Sequence, residues 1–209
     1  QDWLSSLASP QRNFEEFLAK TRSIITATCV GVGQTRIRID SQTFDWVIVD
    51  EAARCTPSEL AVPIQLGRRV LLVGDHLQLP PMIGRDLVDQ LQEERPDIAR
   101  EQFITSDFER SFNSLYGHSI GQRLTEQYRM DPAICKMVSS CFYEPNEVML
   151  RTSDTRASKF TVGADAPDWL RRPMAWIDTS DERNAMEVKL PGQTTMHNDA
   201  EVAAVVRLL

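Results

Sequence analysis

Two stretches decide the fold of this chain: Val47–Ile48–Val49–Asp50–Glu51–Ala52–Ala53 and Leu71–Leu72–Val73–Gly74–Asp75–His76–Leu77–Gln78–Leu79–Pro80–Pro81. Each begins with a short apolar run, as a buried parallel strand does, and each run ends in polar residues. Ligands of α/β sheets bind at the carboxyl ends of parallel strands. The adjacent carboxylates Asp50 and Glu51 suit Mg²⁺ binding and the orientation of a water molecule, and Gln78 offers a neutral amide to a phosphate. The two stretches therefore predict an α/β protein with phosphate chemistry at one edge of its sheet.

The flanking sequence predicts alternating strands and helices. Phe44–Asp50 and Val70–Gly74 are predicted buried strands, and Pro57–Leu66 is a predicted crossover helix that begins at a proline. Further predicted elements are a helix at Asn13–Arg22, strands at Ser23–Cys29, His118–Leu124 and Met174–Asp178, and helices at Asp131–Cys141 and Asn198–Leu209. This order favours an open α/β sheet. A change in character near Leu124 predicts two domains, residues 1–124 and 125–209.

Composition narrows the class of protein. The 209 residues are 42% hydrophobic and 25% charged, which is ordinary for a soluble globular protein. Apolar runs stay well short of the roughly 20 residues that cross a bilayer, and the first residues lack the order of a signal peptide. We therefore expect no membrane partner and a cytoplasmic location, or a nuclear one in a eukaryote. The net charge of −7 argues against a broadly basic DNA-binding surface, although a nucleic-acid groove needs only local positive charge.

The four cysteines form no C-x-x-C pair. Only Cys135 and Cys141 are near each other in sequence, and no histidine lies close enough to predict a zinc site. We interpret all four as reduced, structural thiols.

Ordered motifs give the chain a family resemblance. It resembles the superfamily 1 helicases, in the branch that includes the nonsense-mediated-decay RNA helicase. The matching segments, in family order, are residues 27–33 for the nucleic-acid-contacting loop, 50–53 for the Walker B box, 74–81 for the third motif and 124–132 for the fourth, with further similarity at 141–143 and 198–201. The resemblance implies a RecA-like P-loop NTPase fold, containing part of a first motor domain and the start of a second. It also implies an ATP-dependent helicase or translocase that uses ATP and Mg²⁺ on single-stranded DNA or RNA.

The resemblance assigns roles to seven residues of the chain. It implies that Asp50 holds Mg²⁺, that Glu51 is the general base and that Gln78 senses the γ-phosphate. It implies that Tyr128 packs on adenine and that Arg129 stabilises the transition state from the second domain.

At the nucleic acid, the resemblance implies that Thr28 donates to a phosphate and that Gly31 belongs to the same binding loop. The chain departs from the family at Arg54, where Gln or a small polar residue is usual, and at Asp131, where His is common.

The largest departure is the absence of the phosphate cradle G-x-x-x-x-G-K-[ST] from the sequence. We therefore expect the chain to be the middle of a motor, with the P-loop and the late arginine motifs outside it. On its own it is expected to lack ATPase activity and to expose unpaired strand edges. Two alternatives stay open: a helicase-like scaffold that has lost catalysis, and a helicase core fused to a nuclease. The resemblance to this branch also implies 5′ to 3′ polarity, on DNA or on RNA.

Overall fold

A computed structural model describes residues 17, 20–33, 39, 42–155, 158, 160–182, 185–192 and 194–208. The chain divides into two compact units, residues 1–123 and 124–209. Of the predicted helix Asn13–Arg22, Phe17, Lys20 and Thr21 are helical, and the apolar residues Phe14 and Leu18 lie outside the described residues. In the described part of the chain, no helix is long and apolar enough to span a bilayer.

The first unit is built on a parallel pair of strands. Strand β1 (Phe44–Val49) pairs with β2 (Gly67–Leu72), so that Val49 lies opposite Leu72. Helix α2 (Pro57–Ile64) connects them, which confirms the predicted order of strand, helix and strand. The second strand begins three residues before the predicted start at Val70.

A capping box fixes the start of α2. The Thr56 hydroxyl accepts a hydrogen bond from the Glu59 backbone N–H at 3.4 Å, and the Glu59 carboxylate accepts one from the Thr56 N–H at 2.9 Å. Pro57 occupies the first turn, where its missing N–H costs nothing. The Thr56 hydroxyl also donates to the Glu59 carboxylate at 2.9 Å, and this hydrogen bond and the one from the Thr56 N–H lower the pKa of Glu59, the backbone N–H having the larger effect.

One face of the strand pair carries the core. Val49, Ala52, Ala53, Leu60 and Phe108 form its buried cluster. The opposite face is exposed in the described structure: Trp46, Ile48 and Leu71 are 53%, 64% and 46% exposed. The Arg69 guanidinium lies 5.4 Å from the centre of the Trp46 ring. Parallel sheets are usually covered on both faces, so this apolar face is atypical.

Short helices complete the first unit. They are α1 (Cys29–Val32), a 3₁₀ turn (Ala52–Arg54), α3 (Arg85–Glu94), α4 (Arg100–Ile104), α5 (Asp107–Phe112) and α6 (Leu115–Ile120).

Two predicted strands of this unit are wrong. Residues 24–28 of the predicted strand Ser23–Cys29 form no ladder in the described structure, Ile24 is exposed, and Cys29 begins α1. The predicted strand His118–Leu124 is replaced at its start by α6, because the Ser114 hydroxyl caps that helix by accepting from the Gly117 N–H at 3.0 Å. Local capping outweighs β-propensity at both places.

The second unit contains two small sheets. Strands β3 (Glu126–Gln127) and β4 (Arg151–Thr152) are parallel, and β5 (Val188–Lys189) and β6 (Met196–His197) are antiparallel. The remaining elements are α7 (Pro132–Val138), a π-helical turn (Ser139–Tyr143), 3₁₀ turns (Glu144–Asn146 and Asp168–Arg171) and α8 (Asp199–Leu208).

Both predicted helices of this unit are confirmed, with α7 continuing into the π-helical turn. The Asn198 side-chain oxygen caps α8 by accepting from the Ala200 and Glu201 N–H groups at 3.0 and 3.2 Å. The predicted strand Met174–Asp178 is wrong: these residues are in no strand and Trp176 is 93% exposed. Without a neighbouring strand, an apolar run has no partner for its backbone groups. The mixture of helices and parallel strands nevertheless confirms the α/β class.

Candidate nucleotide-hydrolysis site

Backbone hydrogen bonds hold the carboxyl ends of β1 and β2 together. The Val73 N–H donates to the Val49 carbonyl at 2.9 Å, and the Ala52 N–H donates to the Val73 carbonyl at 2.9 Å. The pairing therefore continues past the last residues of both strands. It places the segment Asp50–Glu51 beside the segment Gly74–Asp75.

This junction requires a glycine at position 74. A Cβ atom there would lie 2.8 Å from the Ala53 nitrogen and 3.3 Å from the Ala52 nitrogen. Real Cβ atoms do not come this close to backbone, and that backbone is fixed by the buried residues Ala52 and Ala53. Gly74 therefore allows the two chain segments to touch.

Asp50 and Glu51 both present exposed carboxylates at this junction. One Asp50 oxygen accepts a hydrogen bond from the Glu51 N–H at 3.0 Å. Glu51 has φ 56° and ψ 33°, the left-handed region. A side chain other than glycine in that region costs about 1–3 kcal/mol and is concentrated at functional sites. The strain at Glu51 thus points to a use for its side chain.

The donors at this edge suit Mg²⁺. Mg²⁺ keeps several of its waters and binds proteins through one or two carboxylates. Asp50 is an exposed carboxylate at a strand end, and no group of three or more metal-binding side chains occurs among the described residues. A single carboxylate in contact with solvent fits a hydrated Mg²⁺ better than it fits zinc or calcium.

Asp75 organises the loop that carries Gln78. One Asp75 oxygen accepts from the Leu77 N–H at 3.1 Å, and the other accepts from the Gln78 side-chain amide at 2.9 Å. Gln78 is exposed. Its side-chain amide is therefore oriented by Asp75.

A cluster of rings supports this loop from α5 and α6. The His76 ring lies 5.6 Å from the Phe112 ring and 6.3 Å from the Phe108 ring, measured between centroids. His118 packs against Phe112 at 6.4 Å, and the Arg123 guanidinium lies 5.3 Å from the Phe112 centroid. The helical pair thus contacts the residue that follows Asp75.

Thr28 and Gly31 are brought together at the start of α1. The Thr28 hydroxyl accepts from the Gly31 N–H at 3.0 Å and caps the helix. A Cβ at Gly31 would lie 2.8 Å from that hydroxyl oxygen. Because an accepting hydroxyl keeps its own proton, Thr28 can still donate to an outside oxygen.

The structure also brings together Cys29 and Cys55, which are distant in sequence. Their sulfur atoms are 3.9 Å apart, and both side chains are half-buried against the core. Burial, followed by the effects of Cys29 and then of Glu59, raises the pKa of Cys55 to about 11.

This pKa predicts a pH effect on stability. The folded chain holds the Cys55 proton more tightly than the unfolded chain, whose pKa is near 9.0, so the stabilisation is complete below pH 9 and is lost as the pH rises through about 11. With reductant present, we expect the unfolding midpoint of the native chain to fall more steeply between about pH 8.5 and 10.5 than that of Cys55→Ser. Cys141→Ser is the matched control, since Cys141 is exposed. Parallel curves for all three proteins would contradict the prediction.

In the second unit, the Gln127 side chain shapes the turn that carries Tyr128 and Arg129. Its oxygen accepts from the Arg129 and Met130 N–H groups at 2.8 and 2.6 Å. Its nitrogen donates to the Met130 carbonyl at 3.0 Å and to the Thr152 hydroxyl at 2.6 Å. Tyr128 and Arg129 are both exposed. The turn therefore presents an aromatic ring and a guanidinium to solvent.

The predicted site residues thus fall into three local groups. Asp50, Glu51 and Gln78 lie on the joined strand ends, Thr28 and Gly31 on one helical turn, and Tyr128 and Arg129 on one turn of the other unit. The sequence did not predict that the Gln127 side chain shapes the turn of Tyr128 and Arg129. Its position next to these two residues in the sequence could have indicated this role. The sequence also did not predict the contact between Cys29 and Cys55, for which no local signal exists.

Comparison with known proteins identifies the family to which the chain belongs. Two family models, each described as an AAA domain, match residues 1–85 and 103–209. Together with the pairing at the carboxyl ends of β1 and β2, these matches identify the chain as an AAA-type α/β protein. The chain belongs to the superfamily 1 helicases, in the branch that contains the nonsense-mediated-decay RNA helicase.

Individual relatives agree with this family. The chain is 32% identical to the regulator of nonsense transcripts 1 homolog of Arabidopsis thaliana over 95% of its length, covering 14% of that protein. It is 32% identical to the ATP-dependent helicase NAM7 of Saccharomyces cerevisiae over 73% of its length, covering 15% of that protein. It is 27% identical to the DNA replication ATP-dependent helicase/nuclease DNA2 of the same yeast over 91% of its length, covering 13% of that protein. The chain therefore spans about a seventh of the length of these relatives.

Proposed function

We propose that this chain is the middle segment of an ATP-dependent helicase or translocase, holding part of a first RecA-like domain and the start of a second. The joined ends of β1 and β2 are the observation that carries the proposal, because they hold two carboxylates and an amide at one sheet edge. The relatives named as ATP-dependent helicases support the same activity. We infer residues 1–124 and 125–209 as the two parts, and a cytoplasmic or nuclear location.

Each residue at the sheet edge has a distinct task in this proposal. Asp50 holds Mg²⁺, which when bound neutralises charge on the β- and γ-phosphates. Glu51 accepts the proton of the attacking water, because an exposed carboxylate at a strand end can reach both water and solvent. Gln78, oriented by Asp75, contacts the γ-phosphate and reports its loss to the loop.

The second unit supplies groups of a different kind. Tyr128 offers a flat face to the adenine ring, and Arg129 offers a guanidinium to the transferring phosphate. In the first unit, Thr28 and Gly31 form the nucleic-acid contact, with the Thr28 hydroxyl donating to a phosphate oxygen. Single-stranded DNA and RNA both present that phosphate.

The experiment compares Arg129→Ala and Arg129→Lys in the longer polypeptide that carries this segment and a Gly-Lys-Thr phosphate loop. We expect ATP hydrolysis stimulated by single-stranded DNA or RNA, and a loss of about 1,000-fold in kcat for both variants, since a lysine does not reproduce the planar guanidinium. Arg172→Ala, at an exposed arginine of the same unit, is the control. A polypeptide that binds nucleic acid without hydrolysing ATP would favour the scaffold instead.

A further inference from the structure

We propose that Cys29 and Cys55 form a dithiol modification site, which a small disulfide such as oxidised glutathione converts into an intramolecular cross-link. The cross-link would join the first residue of α1 to the residue that follows the 3₁₀ turn after Glu51. The proposal does not depend on the chain being part of a motor.

The first support is the position of the two sulfur atoms. They lie 3.9 Å apart, and a disulfide bond is about 2.05 Å long, so they must approach by roughly 2 Å. Both side chains pack against the same buried cluster, which keeps their backbones in place. Rotation of the two side chains is the motion available for closing this gap.

The second support is access. Cys29 and Cys55 are both half-buried and not fully buried, so a small reagent can reach the pair. The other two cysteines differ: Cys135 is buried, with its thiol directed to the Leu150 carbonyl at 3.8 Å, and Cys141 is exposed. Cys29 and Cys55 are therefore the two thiols that are both in contact with each other and accessible to a small reagent.

The chemistry proceeds in two exchanges. The Cys29 thiolate attacks one sulfur of the oxidant RS–SR, forming a mixed disulfide and releasing RS⁻, which takes up a proton. The Cys55 thiol then loses its proton, and its sulfur attacks the Cys29 sulfur, breaking the bond to the second RS group. Two protein thiols are oxidised by two electrons, and one oxidant molecule is reduced to two RSH. Cys29 reacts first because the raised pKa of Cys55 leaves little thiolate at neutral pH.

The test uses the native 209-residue chain and oxidised glutathione, followed by tryptic digestion without reductant. We expect the monomer to yield peptide 23–36 linked to peptide 55–68, the two tryptic peptides that contain Cys29 and Cys55. The linkage should lower the mass by about 2 Da relative to the separate reduced peptides, which corresponds to two hydrogen atoms. Cys141→Ser should keep the cross-link, and Cys29→Ser should remove it. Glutathione on Cys29 and on Cys55 in the native chain, without linkage, would overturn the proposal.

A second measurement separates this result from misfolding of the serine variant. Native chain oxidised in guanidinium chloride should lose its preference for the pair, since unfolding removes the contact between the sulfur atoms. An equal yield of linked peptide with and without denaturant would show that the fold does not bring the thiols together, and would also overturn the proposal.

A consequence for hydrolysis rests on the proposed function. The cross-link would tie the turn that carries Thr28 and Gly31 to the segment that follows Asp50 and Glu51. We expect ATP hydrolysis stimulated by nucleic acid in the longer polypeptide to fall on oxidation and to return with reductant, in native protein and in Cys141→Ser. An absence of ATPase activity from reduced protein would count against the motor, whereas the linked peptides would still establish the dithiol site.

Discussion

Glu51→Gln should reduce ATP hydrolysis by the longer polypeptide at least 100-fold, because the amide cannot accept the proton of the attacking water. The substitution keeps the size and shape of the side chain, so the left-handed backbone at position 51 and the junction between β1 and β2 should persist. Steady-state phosphate release at saturating ATP measures the effect. Binding of a fluorescent ATP analogue should change little.

The matched control for this variant is Glu93→Gln, at an exposed carboxylate on α3. It makes the same chemical change far from the strand ends in sequence and should leave hydrolysis intact. If Glu51→Gln and Glu93→Gln hydrolyse ATP at equal rates, Glu51 is not the general base.

Gly117→Ala should strongly lower the free energy of unfolding of the chain. A Cβ at this buried position would lie 2.0 Å from the Ser111 carbonyl oxygen and 2.5 Å from the Phe112 carbonyl oxygen. Because both obstacles are backbone, α5 and α6 must separate, and overpacking of this kind costs about 3 kcal/mol. Denaturant unfolding of the 209-residue chain measures it.

Gly163→Ala provides the control, since nothing lies within 4 Å of the Cβ it adds. The two substitutions are chemically identical and differ only in their surroundings. We also expect Gly117→Ala to weaken the support of the Asp75–Gln78 loop, because Phe112 packs against His76. Equal unfolding midpoints for the two variants would show that α5 and α6 do not approach as described.

The sequence predicted best those elements that local rules determine. The apolar runs of β1 and β2 lie on either side of a helix whose predicted start was Pro57, so the order of strand, helix and strand could be predicted from the sequence. The isolated apolar runs near Ile24 and Trp176 failed as strand predictions. Hydrophobicity does not show whether a partner strand lies alongside, and in the described structure neither run has one.

In the candidate site too, the sequence predicted features that depend on local residues and missed those that depend on distant ones. Asp50 and Glu51 were predicted as site residues because they follow one apolar run, and Gln78 because it lies three residues after the Gly-Asp pair that ends the other run. Contacts between distant residues gave no such signal: Cys29 and Cys55 are separated by 26 residues, and Gln127 and Thr152 by 25. Those contacts depend on how elements pack in three dimensions, which periodicity does not encode.

The left-handed backbone at Glu51 has a consequence for directed evolution. Among the described residues other than glycine, only Glu51 and Glu147 have positive φ, at 56° and 60°. A library screened for heat resistance alone should enrich glycine or asparagine at both positions, since these residues adopt that conformation at lower cost. At position 147 the gain should be free of any penalty for hydrolysis, whereas at position 51 each improved clone would have lost its carboxylate. A screen that ignores turnover would therefore select against the proposed catalytic base.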